Sequence, residues 1–242
     1  MNYLAHAWSF LRDGSADPYE LAGVAVPDWL CVASRRTKCR SRDAAPHLDA
    51  EDAQLAALAR GVCQHHADDA WFHESPAFGA LSLGFAKTLR EELGESTSMR
   101  PWFLGHILVE LMLDDELARR EPGLLDWYYE LMAHVDAPWV AASIERMAGR
   151  DVGNLRNFIQ RYGEVRFLAD YRDDDALVMR LNQVMQRVRL DALPAAFTPL
   201  LAGFRGAVAA SFDELINPVP NDGSNLVGKS RVRLETVRSV SA

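Results

Sequence analysis

The chain has 242 residues, 49% of them hydrophobic and 25% charged, and a formal net charge of -8. This is the composition of an ordinary globular protein, and it excludes a largely disordered, collagen-like or disulfide-stapled chain. The acidic balance argues against a nucleic-acid partner, because neutralising phosphates needs a basic face.

The opening, MNYLAHAWSFLRDG, lacks a basic leader and carries His6 inside its apolar run, so it does not read as an export signal. No run of about 18 apolar residues occurs, and no membrane span is expected. Cys31, Cys39 and Cys63 have no CxxC spacing and read as reduced thiols, which makes a cytoplasmic location the expectation.

Apolar residues recur at intervals of three and four almost throughout, as at Leu177, Leu181, Val184 and Val188, and alternating runs are scarce. The pattern predicts an all-α, single-domain, multi-helix bundle. Expected helices cover 2–12, 18–33 (broken or kinked at Pro27), 51–73, 76–93, 100–120, 122–134, 137–148, 154–170, 173–189 and 194–216. Pro101, Pro122 and Pro194 suit first helical turns, and Asp173 and Asp174 suit caps. A polar loop over 34–50 is locally basic, with Arg35, Arg36, Lys38, Arg40 and Arg42. Residues 217–242 are rich in Pro, Gly and Ser and then basic, so the expectation is one domain over 1–216 followed by a flexible tail.

The chemistry-bearing residues fall in four places. His6 is in the first helix, and Asp28 follows Pro27 in the second. His65, Asp69 and His73 are spaced by four and eight in GVCQHHADDAWFH, and His106, Glu110 and Asp114 repeat that spacing in GHILVELMLDD. On a helix this spacing puts each set on one face. A divalent ion needs imidazole and carboxylate donors converging from several directions, and facing helices of a bundle supply them. These polar groups lie in apolar surroundings, where they are costly unless paired or coordinated. Each also has a plainer explanation. His6 suits a hydrogen-bonded core histidine, Asp28 a turn cap, and His66 and Asp68 solvated groups or partners of the ligands. Asp115 and Glu116 suit solvated surface charges, and His47 and His134 have no catalytic argument. Trp71, Phe72, Trp102, Phe103, Trp127, Tyr128 and Tyr129 suit core or groove lining. No GxSxG, GxGxxG or P-loop pattern occurs, which removes the serine-hydrolase, dinucleotide and NTPase motifs.

MNYLAHA, the PDW of the second helix, GVCQHHADD with AWFHES, and FLADYRDDDALVMRLNQVMQRV at 167–188 together resemble the acyl carrier protein phosphodiesterase family. In the last stretch Tyr171, Arg172, Leu181 and Asn182 stand in matching places, so the similarity is scattered from residue 1 to about 190. The resemblance implies a divergent, helical, HD-phosphohydrolase-like fold that hydrolyses a phosphoester with metal-activated water. It implies that His6, Asp28, His65 and Asp69 belong to the metal site, and it matches His106 to the histidine of a family Asp-His pair. Two positions depart from the pattern. The aspartate of that pair is Gly105 here, with Glu110 the nearest replacement, and the acidic residue four after Asp69 is His73.

The expected ligands of a divalent ion (Mn, Fe, Zn, Co or Mg) are therefore His6, Asp28, His65, Asp69 and His106. His73 and Glu110 come next as catalytic groups. Arg172 is the candidate phosphate-binding residue, since a guanidinium offers a bidentate fork, although pairing with its aspartate neighbours is the plainer role. The basic loop over 35–42 is a second candidate phosphate site or simply a solvated loop. The resemblance implies holo-acyl carrier protein as substrate, and a phosphorylated small molecule is the rival. The alternative from another class is a non-catalytic helical binding protein, in which the His/Asp set is a structural metal site or an internal network.

Overall fold

The computed structural model describes residues 1–14, 16–34, 36–94 and 100–217, and every regular element among them is helical. The helices are α1 (Tyr3–Leu11), α2 (Pro18–Ala33), α3 (Ser41–Ala44), α4 (Ala53–Glu74), α5 (Pro76–Leu93) and α6 (Pro101–Arg120). They continue as α7 (Leu124–Met132), α8 (Ala137–Ala148), α9 (Leu155–Val165), α10 (Asp174–Arg187), α11 (Leu201–Ala210) and α12 (Phe212–Ile216). Residues 218–242, most of the expected tail, and Arg35 of the basic loop lie outside the described residues. Among the described residues no helix is long and apolar enough to cross a membrane.

Five helix starts follow from local chemistry. Asp17, Asp52, Asp136 and Asp173 each accept a hydrogen bond from a first-turn amide of α2, α4, α8 and α10, and Ser75 does so for α5. Such caps satisfy amides that have no intrahelical partner. Helix α1 is closed instead from a distance. Asp114 of α6 accepts the Leu4 amide at 3.0 Å, the Ala5 amide at 2.8 Å and the Asn2 side-chain amide at 2.7 Å. A carboxylate at a helix N-terminus also meets the positive end of its dipole. This ties the segment that carries His6 to the helix that carries His106 and Glu110.

Several expected boundaries are corrected. Helix α2 runs unbroken through Pro27, which merely leaves the Gly23 carbonyl without its helical donor. The 34–50 loop contains α3 and a 3-10 turn over Ala45–His47. Helix α7 starts at Leu124, after Gly123 at φ 86, so Pro122 stands outside it. The helix expected over 154–170 stops at Val165, because Arg166 turns left-handed at φ 49, and Phe167–Arg172 continues as 3-10. The one expected over 194–216 is a 3-10 segment, Ala195–Leu200, holding Pro199, followed by α11 and α12.

The core is built around α2 packed along α4, with α6 against α5 and α11. Trp29, Phe72, Tyr128 and Phe197 are its largest fully buried side chains. Two glycine contacts set how close the helices come. A Cβ on Gly23 would lie 2.8 Å from the Cα of Gly61, and one on Gly61 would lie 2.2 Å from the Glu20 carbonyl, so α2 and α4 touch backbone to backbone. A Cβ on Gly105 would lie 2.6 Å from the Ser82 carbonyl, so α6 meets α5 in the same way.

Candidate metal centre

Helices α1, α2, α4 and α6 converge where they carry His6, Asp28, the His65–Asp69–His73 face and the His106–Glu110 pair. The imidazoles and carboxylates gather there into two groups. In each, the donor atoms lie within 4.8 Å of one another.

The inner group is His6, His65 and Asp69. His6 and His65 are buried, and their rings stack at 4.0 Å between centroids. The close approach at Gly23 and Gly61 brings the Val24 carbonyl to 2.8 Å from His65 Nδ1. A carbonyl oxygen only accepts, so Nδ1 carries the proton and Nε2 presents a lone pair. His6 Nδ1 donates in the same way to Asp68 Oδ2 at 3.2 Å, and Gln64 Nε2 donates to the other oxygen of Asp68 at 2.6 Å. Both Nε2 atoms then face Asp69. His6 Nε2 is 3.4 Å from Oδ1 and His65 Nε2 is 3.3 Å from Oδ2. His6 Nε2 is buried with no hydrogen-bond partner among the described residues.

Two lone pairs held against a carboxylate repel unless a cation lies among them. The spacing suits one. Bonds of about 2.0–2.1 Å in tetrahedral array put two donors about 3.3 Å apart. Outer hydrogen bonds that fix tautomer and ring orientation are the usual accompaniment of ligating histidines. These residues therefore fit a divalent ion. Without one, a proton must serve. Burial pulls the His6 imidazole down, but the Asp68 and Asp69 carboxylates beside it outweigh burial and raise it above the ordinary value. Burial pushes Asp69 up, and the imidazoles of His6 and His65 beside it overcome this and hold it well below the usual carboxylate range.

The outer group is His73, His106 and Glu110, whose donors are half-buried or exposed. Glu110 Oε1 lies 2.9 Å from His73 Nε2 and 3.4 Å from His106 Nε2. Phe78 packs on both rings, with centroids at 5.0 and 4.8 Å. Burial pushes Glu110 up, but the Met1 α-ammonium and the two imidazoles hold it well below its ordinary value. The Met1 nitrogen joins the groups, at 2.7 Å from Asp69 Oδ1 and 3.1 Å from Glu110 Oε1. Asp28 lines the cleft beside both and is pushed up by burial, against the pull of His65 and His6.

The expected residues are thus regrouped. His106 stands with His73 and Glu110, apart from His6, His65 and Asp69. The Gly105 position cannot supply a ligand, because its Cβ direction points into α5. Arg172 is not brought to either group. It is exposed and lies 3.9 Å from Asp115 and 3.4 Å from the Ala118 carbonyl, farther along α6. Asp115 and Glu116 are buried rather than solvated. Asp115 pairs with Arg205, and Glu116 with Arg119 and Arg120. Asp68 is buried as the partner of His6, and His66 bonds the Cys39 carbonyl at 2.9 Å. Asp114, spaced like a ligand, instead caps α1. Burial lifts it to about 7 against its three hydrogen bonds.

Two hollows flank the cluster and share Asp28 and Cys31. One, of about 530 Å3, is lined by His65, His66 and Asp69 and by Lys38, Arg40 and Arg42 of the basic loop. The other, of about 350 Å3, reaches Glu110 and Asp28 and is walled by α9 and α10, with Arg161 and Arg187 on its lining. Sequence reading missed these two arginines, since nothing in the spacing of α9 and α10 ties them to one cleft. No family model matches this chain, and neither a curated protein nor a solved structure does.

Proposed function

We propose that the chain is a metal-dependent phosphohydrolase acting on a phosphodiester, akin to the acyl carrier protein phosphodiesterases it resembles and built on an HD-like helical scaffold. The observation that carries this reading is the pair of buried imidazoles, each fixed by an outer acceptor so that its free lone pair faces one carboxylate at the floor of an open cleft. His6, His65 and Asp69 would hold a divalent ion of the Mn, Fe, Zn, Co or Mg class. When bound, such an ion polarises a phosphoryl oxygen and lowers the pKa of water.

The chain's own groups supply the rest. Asp28, at the junction of the two hollows and raised by burial, takes the proton from the attacking water on its carboxylate. His73 Nε2, held by Glu110, is the donor nearest solvent and returns a proton to the leaving oxygen. Lys38, Arg40 and Arg42 draw the anionic ester in. Arg172 has no part in this scheme. The substrate is a phosphorylated small molecule or the phosphodiester of holo-acyl carrier protein.

A second reading is favoured by the Met1 α-ammonium, which pairs with Asp69 and Glu110. In it the cluster is a closed structural network of a non-catalytic helical binding protein. The test is metal content with hydrolysis of bis(para-nitrophenyl) phosphate, before and after chelation. The proposal expects bound metal, chelator-sensitive release of nitrophenolate, and loss of both in His65→Ala. Activity of His65→Ala that survives chelation would defeat it. A metal-free protein whose melting is indifferent to chelator would favour the network.

A further inference from the structure

The groove between α9 and α10 has chemistry that the hydrolytic scheme does not use. Its inner end is Asp28 and Glu110, beside the metal centre. Its walls include half-buried Phe158 and Phe167 and exposed Val165. At about 350 Å3 it is roughly twice the ~150 Å3 cavity that takes a benzene ring. Arg161 and Arg187 are exposed where it opens. Among the described residues neither lies within ion-pair distance of a carboxylate, whereas Arg180 beside them is bound to Asp170 at 2.6 Å and lies over the Phe167 ring at 5.5 Å. The groove therefore has mainly apolar walls, carboxylates where it meets the metal centre and two free cations on its α9 and α10 side. Because the groove and the basic hollow meet at Asp28 and Cys31, an ester group at the cluster has room for a substituent on each side.

We infer that this groove binds one arm of the phosphodiester, a flat apolar arm carrying its own anionic group, which Arg161 and Arg187 hold on the α9 and α10 side. The inference rests on the hydrolase reading of the metal centre and adds the substrate class. A rim charge that meets a rim anion steers and selects more than it tightens, so the effect expected is a preference of moderate size.

The test compares two diesters that differ in one group: para-nitrophenyl phenyl phosphate and para-nitrophenyl para-carboxyphenyl phosphate, hydrolysed by the metal-loaded full chain. The carboxylated probe should have kcat/KM about tenfold higher. That ratio should fall towards one in Arg161→Gln/Arg187→Gln, and persist in Arg156→Gln, an exposed arginine of α9 outside the groove. A wild-type ratio near one, or a ratio that survives the double substitution, overturns the inference. If neither probe is hydrolysed, the hydrolase reading fails separately, and calorimetry with diphenyl phosphate and phenyl para-carboxyphenyl phosphate decides the groove. Tighter binding of the carboxylated diester that the double variant loses supports it. Equal binding overturns it.

Discussion

The inner and outer groups contain the same chemistry, two imidazoles and one carboxylate, but differ in what stands behind it. His6 and His65 are buried, and each Nδ1 is occupied by Asp68 or the Val24 carbonyl, so each Nε2 lone pair has one direction. His73 and His106 are half-buried or exposed and pack against the Phe78 ring. A donor set becomes a strong site when outer contacts fix tautomer and orientation before the ion arrives. The inner group meets that condition. The outer one is suited to moving protons or touching substrate.

The largest effect that would break this distinction is removal of an inner ligand. His6→Ala, His65→Ala or Asp69→Ala should each abolish stoichiometric metal binding and lower hydrolysis by about a thousandfold or more. His73→Ala and Glu110→Ala should keep the metal and lose about 100-fold in turnover, as expected for a general acid and its partner. Metal analysis beside kcat separates the two classes, and equal metal loss from both groups would erase the distinction. Next in size is the outer contact itself. Asp68→Ala should weaken metal affinity by about 10–100-fold in equilibrium titration, with the ligands left in place.

Packing gives a third test. Gly105→Asp restores the acidic residue of the resembled family, yet its Cβ would run into the Ser82 carbonyl. It should cost about 1–3 kcal/mol in urea unfolding and add no metal affinity. A gain in metal binding would show that this position reaches the centre.

The smallest effect is in pH. Asp114 is lifted by burial to about 7, so the folded protein binds more protons there than the unfolded chain. Its contribution to stability is full at about pH 4 and below and falls as pH rises towards 7. Asp69 and Glu110 are held low, so theirs is present above the ordinary carboxylate range and is lost as pH falls through and below it. Urea midpoints of metal-free protein should therefore drop on the acid side because of the inner and outer groups. They should also decline from about pH 4 to 7 because of Asp114, and Asp114→Asn should flatten that second slope while lowering stability overall.

Much of this was legible before folding. The i,i+4 spacings placed His65 with Asp69 and His106 with Glu110, because helical periodicity alone fixes a shared face. The all-α architecture followed from the same period. What the spacing could not contain is how faces meet. The family resemblance put His106 among the ligands with His6, His65 and Asp69, whereas the crossing of α4 and α6 sets it with His73 and Glu110. The spacing gave Asp114 the pattern of a ligand, but α1 begins against it and takes its carboxylate as a cap. Asp115 and Glu116 resembled surface charge because their counterions are remote or local arginines whose packing only the fold supplies. Gly105 looked like a lost ligand, while a glycine inside a helix was the available sign of a backbone contact.

The central claim is that His6, His65 and Asp69 close on one ion through Nε2, Nε2 and a carboxylate oxygen. X-ray absorption of protein loaded with one equivalent of zinc tests it most directly. Two imidazoles and oxygen at about 2.0–2.2 Å are expected, a signature kept in His73→Ala and lost in His6→Ala, which no longer holds the zinc. A spectrum unchanged by His6→Ala would contradict it.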